Sequence, residues 1–390
     1  MATARCNGHN SIALLFDDMT EFWVMKPYVD ELVREGMQPD IIVQGWEDNR
    51  GLEETYRKIK SLGYKPKRTT TKKYKILLEP YPVGRAQGVE AEYRLKYLYA
   101  PIIAKPDPSL SPEYNMPYDA IFTFSKRDAE IHSVYAKTYI IPYKKYVDFK
   151  REKHGGKPNL LYLPTFGDDV SSIGDLAVAL RKMKQKYTLQ IKAHHAVEFR
   201  ADERERLQML KDMADEFFDS STPLSDLLKL ADVVLSDNSG AIFDSLFAGV
   251  PVAIYSKNPN ARCLGGVNTY QSILVHSGVI PCTSKASEIP RVLKKAAGKK
   301  VVQNKLRSQL LSAKQNNYVD FLNVMKDYLM RDPLADEYHQ AHKILYEDWL
   351  QSRWQIDDLR RRVNRYERSF SRQVTKPLRK IVSLARRKAK

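Results

Sequence analysis

Residues 231–255, ADVVLSDNSGAIFDSLFAGVPVAIY, decide the fold class of this chain. The apolar run 233–235 ends in a cluster of small polar residues, 236–240, and a helical pattern follows. A second apolar run, 252–255, comes after Gly249 and Pro251. This order predicts a strand–loop–helix–strand unit of a parallel sheet. Because backbone amides at a helix N-terminus bind anions, the loop also predicts a phosphate site.

The alternation of strands and helices continues on both sides of this unit. Further strands are predicted at 12–16, 40–43, 74–78, 120–124 and 138–141, and, after a charged linker at 147–159, at 160–163, 188–191 and 278–280. Such alternation is typical of parallel sheets covered by helices on both faces. We therefore predict an α/β protein with two doubly wound, Rossmann-like domains of the GT-B type, residues 1–150 and 151–335. Residues 336–390 are predicted to form C-terminal helices and a basic amphipathic tail.

The composition favours a folded protein that does not span a membrane. The chain has 390 residues, 43% of them hydrophobic, and no apolar run reaches the length of a transmembrane helix. Three widely spaced cysteines argue against a disulfide framework or a structural zinc site, and the first residues lack the apolar core of a signal peptide. We expect a cytoplasmic protein.

The net charge of +17 is concentrated at the C-terminus, where residues 360–390 hold thirteen lysines and arginines and one acid. Apolar residues recur there at intervals of mostly three or four: Trp354, Ile356, Leu359, Val363, Tyr366, Phe370, Val374, Leu378, Ile381 and Leu384. A basic amphipathic helix predicts binding of residues 352–390 to an anionic membrane surface, on the inner face of the cell membrane. Alternatively the stripe packs on the first domain or on a second copy in a homo-oligomer. No nucleic-acid partner is expected, because the body of the chain has no such motif.

Polar residues follow three predicted strands of the second domain, where parallel strands place ligands. These residues are Thr165, Lys192, His194, Ser236, Asp237, Ser239, Gly240 and Asp244. A nucleotide-diphosphate donor needs its leaving charges stabilised, so we expect Lys192 and His194 at the pyrophosphate and the amides of 239–240 capping it. Thr165 and Ser236 would add hydroxyl donors. Asp237 and Asp244 would hold the loop or bind the ribose. No metal site is predicted, because cationic side chains and the helix dipole replace the ion.

Each of these residues also has a structural interpretation. Ser239–Gly240 fits an ordinary helix cap, Thr165 a turn, and Asp244 a hydrogen bond to a neighbouring helix. The general base is expected from the first domain, where the candidates are Asp17, Asp18, Glu79 and His9. Asp17 and Glu79 are favoured because they follow predicted strands, although each also fits solvated surface. His195 is predicted to be structural.

Three segments of the second domain resemble the CDP-glycerol glycerophosphotransferase family: LYLPTFGDD (161–169), LQIKAHH (189–195) and SDLLKLADVVLSDNSGAIFDSLFAGVPVAIY (225–255). The resemblance covers about residues 158–256, and LLEPYPV (77–83) is a weaker match. It implies a GT-B enzyme of teichoic acid and related surface-polymer synthesis. A CDP-linked donor such as CDP-glycerol and a lipid-linked or polysaccharide acceptor would follow, with no further cofactor.

The sequence departs from the family pattern at two places. His194-His195 stands where the family has "HP", and the first domain lacks the family's "WHG" motif, which normally supplies a catalytic histidine. Two alternatives therefore stay open. One is a glycosyltransferase of capsule- or O-antigen-type glycan synthesis that uses an NDP-sugar, and the other is a catalytically degenerate nucleotide-binding subunit.

Overall fold

The computed structural model describes residues 11–45, 51–80, 88–98, 115–116, 118–147, 149–167, 171–237, 239–257, 263–264, 267–268, 270–312 and 316–368. The chain divides into two compact units, Met1–Asp336 and Glu337–Lys390. The first unit contains two six-stranded parallel sheets, and these confirm the predicted α/β, doubly wound fold.

The first sheet is built from β1 (Ile12–Phe16), β2 (Asp40–Val43), β3 (Lys73–Glu79), β4 (Glu90–Tyr97), β5 (Ala120–Thr123) and β6 (Lys137–Ile140), in the order β2-β1-β3-β4-β5-β6. Its helices are α1 (Met19–Arg34), α2 (Gly51–Ser61), α3 (Lys126–His132) and α4 (Lys144–Val147). Strand β4, EAEYRLKY, was not predicted, because charged residues alternate through it. It still forms a central strand, with Tyr93, Leu95 and Tyr97 fully buried.

The second sheet has the order β14-β11-β10-β7-β8-β9. Its strands are β7 (Asn159–Leu163), β8 (Thr188–Lys192), β9 (Glu216–Phe218), β10 (Val233–Ser236), β11 (Val252–Tyr255) and β14 (Cys282–Thr283), and β12 (Cys263–Leu264) pairs with β13 (Val267–Asn268) as an antiparallel ribbon. The strand predicted at 278–280 was wrong, since the edge strand comes two residues after it.

Helices surround the second sheet and continue the chain beyond it. They are α5 (Ile173–Met183), α6 (His195–Phe199), α7 (Arg204–Met213), α8 (Leu224–Leu230), α9 (Ala241–Phe247), α10 (Tyr270–His276), α11 (Ile289–Gly298), α12 (Lys300–Leu310) and α13 (Phe321–Met330), with single 3-10 turns at Ala201–Glu203 and Ala286–Glu288. The core under α5, α7 and α11 consists mainly of leucine, isoleucine and valine.

Helix α13 returns to the first sheet. The Phe321 ring lies 4.7 Å from that of Tyr28 and 5.1 Å from that of Phe122, and Tyr328 lies 5.1 Å from Tyr93. Residues 321–330, which the sequence assigned to the second domain, therefore pack on the first sheet. The boundary at 150/151 stays a prediction.

The second unit is described as one helix, α14 (Glu337–Arg368). The helix predicted for the apolar stripe is therefore present through Tyr366, while Phe370 to Leu384 lie outside the described residues. Among the residues described, no helix is long and apolar enough to cross a membrane.

Candidate functional site

The loops after β7, β8 and β10 share one edge of the second sheet, because these three strands are neighbours. Asp237, at the end of β10, is fully buried and holds two of these loops together. Its carboxylate accepts hydrogen bonds from the amide of Thr165 (2.8 Å), the amide of Ser172 (3.1 Å) and the hydroxyl of Ser172 (2.7 Å). Burial raises the pKa of Asp237 to about 6. Of its two predicted roles, the structure gives Asp237 the one of holding the loop.

Ser236 belongs to the same buried framework. Its hydroxyl donates to the carbonyl of Leu163 at 2.7 Å and has no exposed surface. The amide of Thr165 is held by Asp237, which fixes the turn after β7. These contacts join β7 and β10 at the ends where a ligand would bind, so both residues shape the edge of the site.

Lys192 and His194 follow β8 on this edge. The Lys192 Nζ donates to the carbonyl of Asp219 at 2.8 Å, and burial lowers the pKa of Lys192 to about 8. The His194 Nδ1 accepts the Ala196 amide at 3.2 Å, so the neutral ring carries its proton on Nε2. The His194 ring also packs 4.9 Å from Phe166. A cationic nitrogen and an oriented N–H donor thus lie two residues apart, as an anionic ligand requires.

The loop before α9 contains a local contact at the start of the helix. The Ser239 hydroxyl accepts the amide of Ala241 at 3.3 Å, which is a capping contact. Gly240 lies in open space, since a Cβ placed there would meet no atom within 4 Å. A ligand-binding role for these two residues stays a prediction.

Asp244 contacts a neighbouring helix, as the structural interpretation of the sequence proposed. Its Oδ1 accepts hydrogen bonds from the Lys145 Nζ at 2.8 Å and the Tyr146 hydroxyl at 2.6 Å, both on α4. The preceding residue, Lys144, forms an ion pair with Glu31 of α1. One turn of helix therefore binds both halves of the first unit.

The two carboxylates predicted as bases after the first-sheet strands are both buried. Glu79 has no exposed surface and forms an ion pair with Arg94, whose Nε lies 3.1 Å from Oε1. A general base must reach the acceptor hydroxyl, and the role of Glu79 as that base stays a prediction. Asp17 is 4% exposed, and its amide donates to Glu21 Oε2 at 2.9 Å. Its role as a base stays a prediction.

The first half instead contributes Asp18 to the cleft. Asp18 caps α1 by accepting the Glu21 amide at 3.0 Å, and its Oδ2 lies 3.9 Å from the Nε2 of His195. Asp17, Asp18 and Glu21 bring carboxylate oxygens within 4.8 Å of one another, and the hydrogen bonds within the group account for this arrangement. The contact between Asp18 and His195 joins residues 177 positions apart. The sequence indicated Asp18 as a candidate base but did not indicate this contact.

A small cleft surrounds this contact. Asp18, Thr20 and Glu54 line it from the first half, and His195 and Ser220 line it from the second. A basic side chain and an acidic one thus face each other across the cleft.

Glu198 is a further site residue that the sequence did not indicate. It accepts the amide (2.7 Å) and the hydroxyl (2.5 Å) of Ser220, and burial raises its pKa to about 7. The nearby charge of Lys192 acts in the opposite direction on this pKa. Burial therefore shifts the pKa of Lys192 downwards and that of Glu198 upwards, both towards neutral pH.

Comparison with solved structures shows the type of fold. A putative UDP-N-acetylglucosamine 2-epimerase from Listeria monocytogenes is 13% identical with a TM-score of 0.52, over 83% of this chain and 98% of its own. The S. aureus MnaA–UDP co-structure is 14% identical with a TM-score of 0.51, over 82% and 97%. A variant of the wall teichoic acid polymerase TagF with CDPG is 11% identical with a TM-score of 0.50, over 83% and 90%. At these identities the likeness shows the fold alone, and that fold is the predicted GT-B type.

Comparison of sequences finds a family match in one segment of the chain. Residues 147–261 match the family model CDP-Glycerol:Poly(glycerophosphate) glycerophosphotransferase. A teichoic acid glycerol-phosphate primase from Bacillus spizizenii is 28% identical over 124 residues, which are 30% of this chain and 31% of that protein. The chain thus matches about a third of this relative's length. Residues 147–261 are thus similar to the CDP-glycerol glycerophosphotransferase family, and this is the similarity that the sequence motifs predicted.

Proposed function

We propose that this chain is a transferase that uses a nucleotide-diphosphate donor. We expect it to prefer CDP-linked donors to donors that carry other nucleotides. It would move a glycerol-phosphate-type or sugar group to a polysaccharide or lipid-linked acceptor of the cell surface. One observation carries the proposal: the family match at 147–261 contains all three loops on the ligand edge of the second sheet. Lys192 and His194, the residues with the chemistry to bind a pyrophosphate, lie in the middle of that match.

In the proposed reaction a hydroxyl oxygen of the acceptor attacks the donor at the transferred group. The bond to the nucleotide phosphate breaks, and the departing phosphate gains negative charge. Lys192, with its pKa near 8, is mostly protonated at pH 7 and would stabilise that charge. The Nε2–H of His194 would donate to a neighbouring oxygen. The proposal requires no additional cofactor.

His195 is our proposed general base. It lies on the cleft with its side chain 40% exposed, and Asp18 stands 3.9 Å from its Nε2. Imidazole accepts protons near neutral pH, and a carboxylate partner orients it and stabilises the imidazolium that forms. Asp18 is therefore proposed as the positioning residue. This pair would take the role of general base, for which the sequence favoured Asp17 or Glu79.

A ligand panel tests the donor. Thermal unfolding would be measured with CDP-glycerol, CDP-ribitol, CMP-sugars and UDP-sugars, followed by turnover assays with each compound that stabilises the protein. We expect CDP-linked compounds to raise the melting temperature most, because a ligand that binds only the folded state stabilises it. Preference for a UDP-sugar would favour the glycosyltransferase alternative. Binding without turnover of any donor would favour a degenerate binding subunit.

Two variants test the site. Lys192→Ala and His194→Ala are expected to abolish turnover with little change in melting temperature, because neither side chain belongs to the buried framework around Asp237. Lys186→Ala, on the surface before β8, is the matched control. If both site variants kept full activity, the assignment would be wrong.

We further propose that residues 352–390 bind an anionic membrane surface and place the enzyme on the inner face of the cell membrane. The support is charge: residues 360–390 hold thirteen lysines and arginines, and each contributes about 1 kcal/mol near an anionic surface. The full chain should co-sediment with phosphatidylserine vesicles and not with neutral ones. A chain ending at 351 should lose this binding, and unchanged co-sedimentation would contradict the proposal.

A further inference from the structure

Helix α14 exposes large apolar side chains along much of its length. Leu345 is 38% exposed, and Ile356, Leu359, Val363 and Tyr366 are 48–55% exposed. Solvated helices of single domains rarely present a continuous row of this kind without a binding partner. The exposed row therefore indicates that another surface binds to this side of the helix.

The spacing of the row identifies the kind of occupant. Starting at Leu345, the positions follow at intervals of four and three in strict alternation: Leu345, Trp349, Ser352, Ile356, Leu359, Val363 and Tyr366. We name these seven residues the seam. An alternating four–three interval is the 3.5-residue repeat of a coiled coil, sustained here for three heptads. Helices that lie on a membrane or on a domain core have a wider apolar stripe.

We propose that the seam pairs with the same seam of a second copy of this chain, as a parallel two-stranded coiled coil. The residue types at the two kinds of core position support this arrangement. The β-branched residues Ile356 and Val363 occupy two of the three a positions, beside Trp349 at the third, and Leu345 and Leu359 occupy two of the four d positions. In parallel coiled coils this distribution favours two strands.

The charges beside the seam are complementary in a parallel pair. In this register Asp348, at a g position, faces Arg353 of the second copy at an e position. These two residues are five positions apart, so they do not face each other on one helix. The next pair, Gln355 and Arg360, brings no like charges together. An interhelical ion pair can therefore form between Asp348 and Arg353 of the second copy.

Trp354 lies outside the seam. It is 71% exposed and stands two residues before Ile356, more than half a turn away. A membrane-bound helix would bury Trp354 at the lipid surface, whereas the coiled coil leaves it in solvent. In the arrangement proposed here, the seam serves the dimer and the basic residues of 360–390 remain for the membrane. This inference does not depend on the proposed transfer reaction.

Molar-mass measurement by light scattering tests the pairing on the full chain. We expect a dimer, and we expect the double variant Ile356→Asp, Val363→Asp to raise the dimer dissociation constant at least about tenfold, because two charges would enter the seam. Trp354→Ala is the control and should stay dimeric. Circular dichroism and melting of the first unit would show that each variant folds. A monomeric full chain, or a dimer unaffected by the double variant, would overturn the proposal.

Two further variants test the register and the orientation. Asp348→Arg and Arg353→Asp should each weaken the dimer, and the combination should restore it, which an ion pair within one helix would not explain. Ser352→Cys places identical thiols opposite each other in a parallel pair, so it should form a covalent dimer under mild oxidation that the unmodified chain does not. Failure of the rescue and of the cross-link, or a monomer that binds vesicles through Trp354 and the seam, would contradict the model.

Discussion

The carboxyl ends of the two sheets are built differently. On the second sheet, Asp237 uses its buried carboxylate to fasten two loops, and Lys192 and His194 lie beside that framework. On the first sheet, the strand-end carboxylates Asp17 and Glu79 are themselves buried. The second sheet thus uses buried polar groups to support a binding edge, whereas the first uses them to close its own core.

The first half lines the cleft with residues from the N-terminal ends of its helices. Asp18 starts α1 and Glu54 lies in the first turn of α2, and both line the cleft. Burial raises the pKa of Glu54, and the charge of Asp219 across the cleft raises it further. The lesson is that a strand-end position predicts the ligand edge only where the adjoining loops leave it open. Four predictions test this contrast, from the largest expected effect to the smallest.

The largest effect is expected at the contact across the cleft. His195→Ala should lower kcat by about 10³-fold with little change in KM for the donor, because general-base catalysis is worth about 10²–10⁴-fold. Asp18→Asn should lower kcat less, since it removes only the orienting charge. Glu79→Gln should lower stability in preference to kcat. Steady-state kinetics of the three variants would check this, with His154→Ala as the histidine control. A large kcat loss in Glu79→Gln alone would restore the base predicted from the sequence.

Asp237→Ala should destabilise the first unit by about 2–4 kcal/mol, because two amides and a hydroxyl lose their buried acceptor. Urea unfolding measures this loss, and Ser239→Ala, which removes only a weak cap, should cost less than about 1 kcal/mol. The pH dependence has a definite sign. Since the folded state raises the pKa of Asp237 from 3.8 to about 6, the pH-dependent part of its contribution to stability is full below pH 4 and is lost as the pH rises through 6, whereas its hydrogen bonds remain. Equal stabilities of the alanine variant and the unmodified chain would remove Asp237 from the framework.

Gly45→Ala tests how tightly the first sheet is closed around Asp17. A Cβ at position 45 would lie 2.9 Å from the Asp17 Cβ and 3.2 Å from Leu52 Cδ2, so the chain must shift. We expect a loss of about 1–3 kcal/mol in the free energy of unfolding. Gly174→Ala is the matched control: it meets no atom within 4 Å and lies in α5, where alanine is favoured by up to about 1 kcal/mol. A neutral Gly45→Ala would show that this end of the sheet is looser than the structure indicates.

The smallest effect concerns the protonation of Lys192. Because burial lowers its pKa to about 8, affinity for a CDP-linked donor should fall by up to about tenfold per pH unit above pH 8. Lys192→Arg should remove this dependence, since arginine stays protonated. Calorimetric titration between pH 7 and 9.5 checks both. If the affinity of the arginine variant fell with pH at the same rate, the pH dependence would belong to a group other than Lys192.

The sequence predicted the parts of the fold that depend on local pattern. Buried parallel strands such as β1 and β10 are continuous apolar runs, so their positions followed from composition. Strand β4 did not, because its burial depends on neighbouring strands and not on its own alternation. That omission also hid the environment of Glu79, since its partner Arg94 lies on β4.

The candidate site was predicted to a similar extent. The family motifs located Thr165, Lys192, His194 and the loop after β10 on one edge, since each follows a strand in sequence. The sequence did not distinguish ligand-binding groups from groups that bind each other. The contacts of Asp237 with Ser172 and of Asp244 with Lys145 join segments 65 and 99 residues apart, and only the folded chain shows them.

The return of α13 to the first sheet has a consequence for the order of folding during synthesis. Phe321 packs against Tyr28 and Phe122, and Tyr328 packs against Tyr93, so these rings are covered only by residues made about 200 to 290 positions later. When the ribosome has completed the six strands of the first sheet, the apolar surface that α13 covers is therefore still exposed. It stays exposed until the second sheet has been synthesised. The N-terminal half begins first but is completed last.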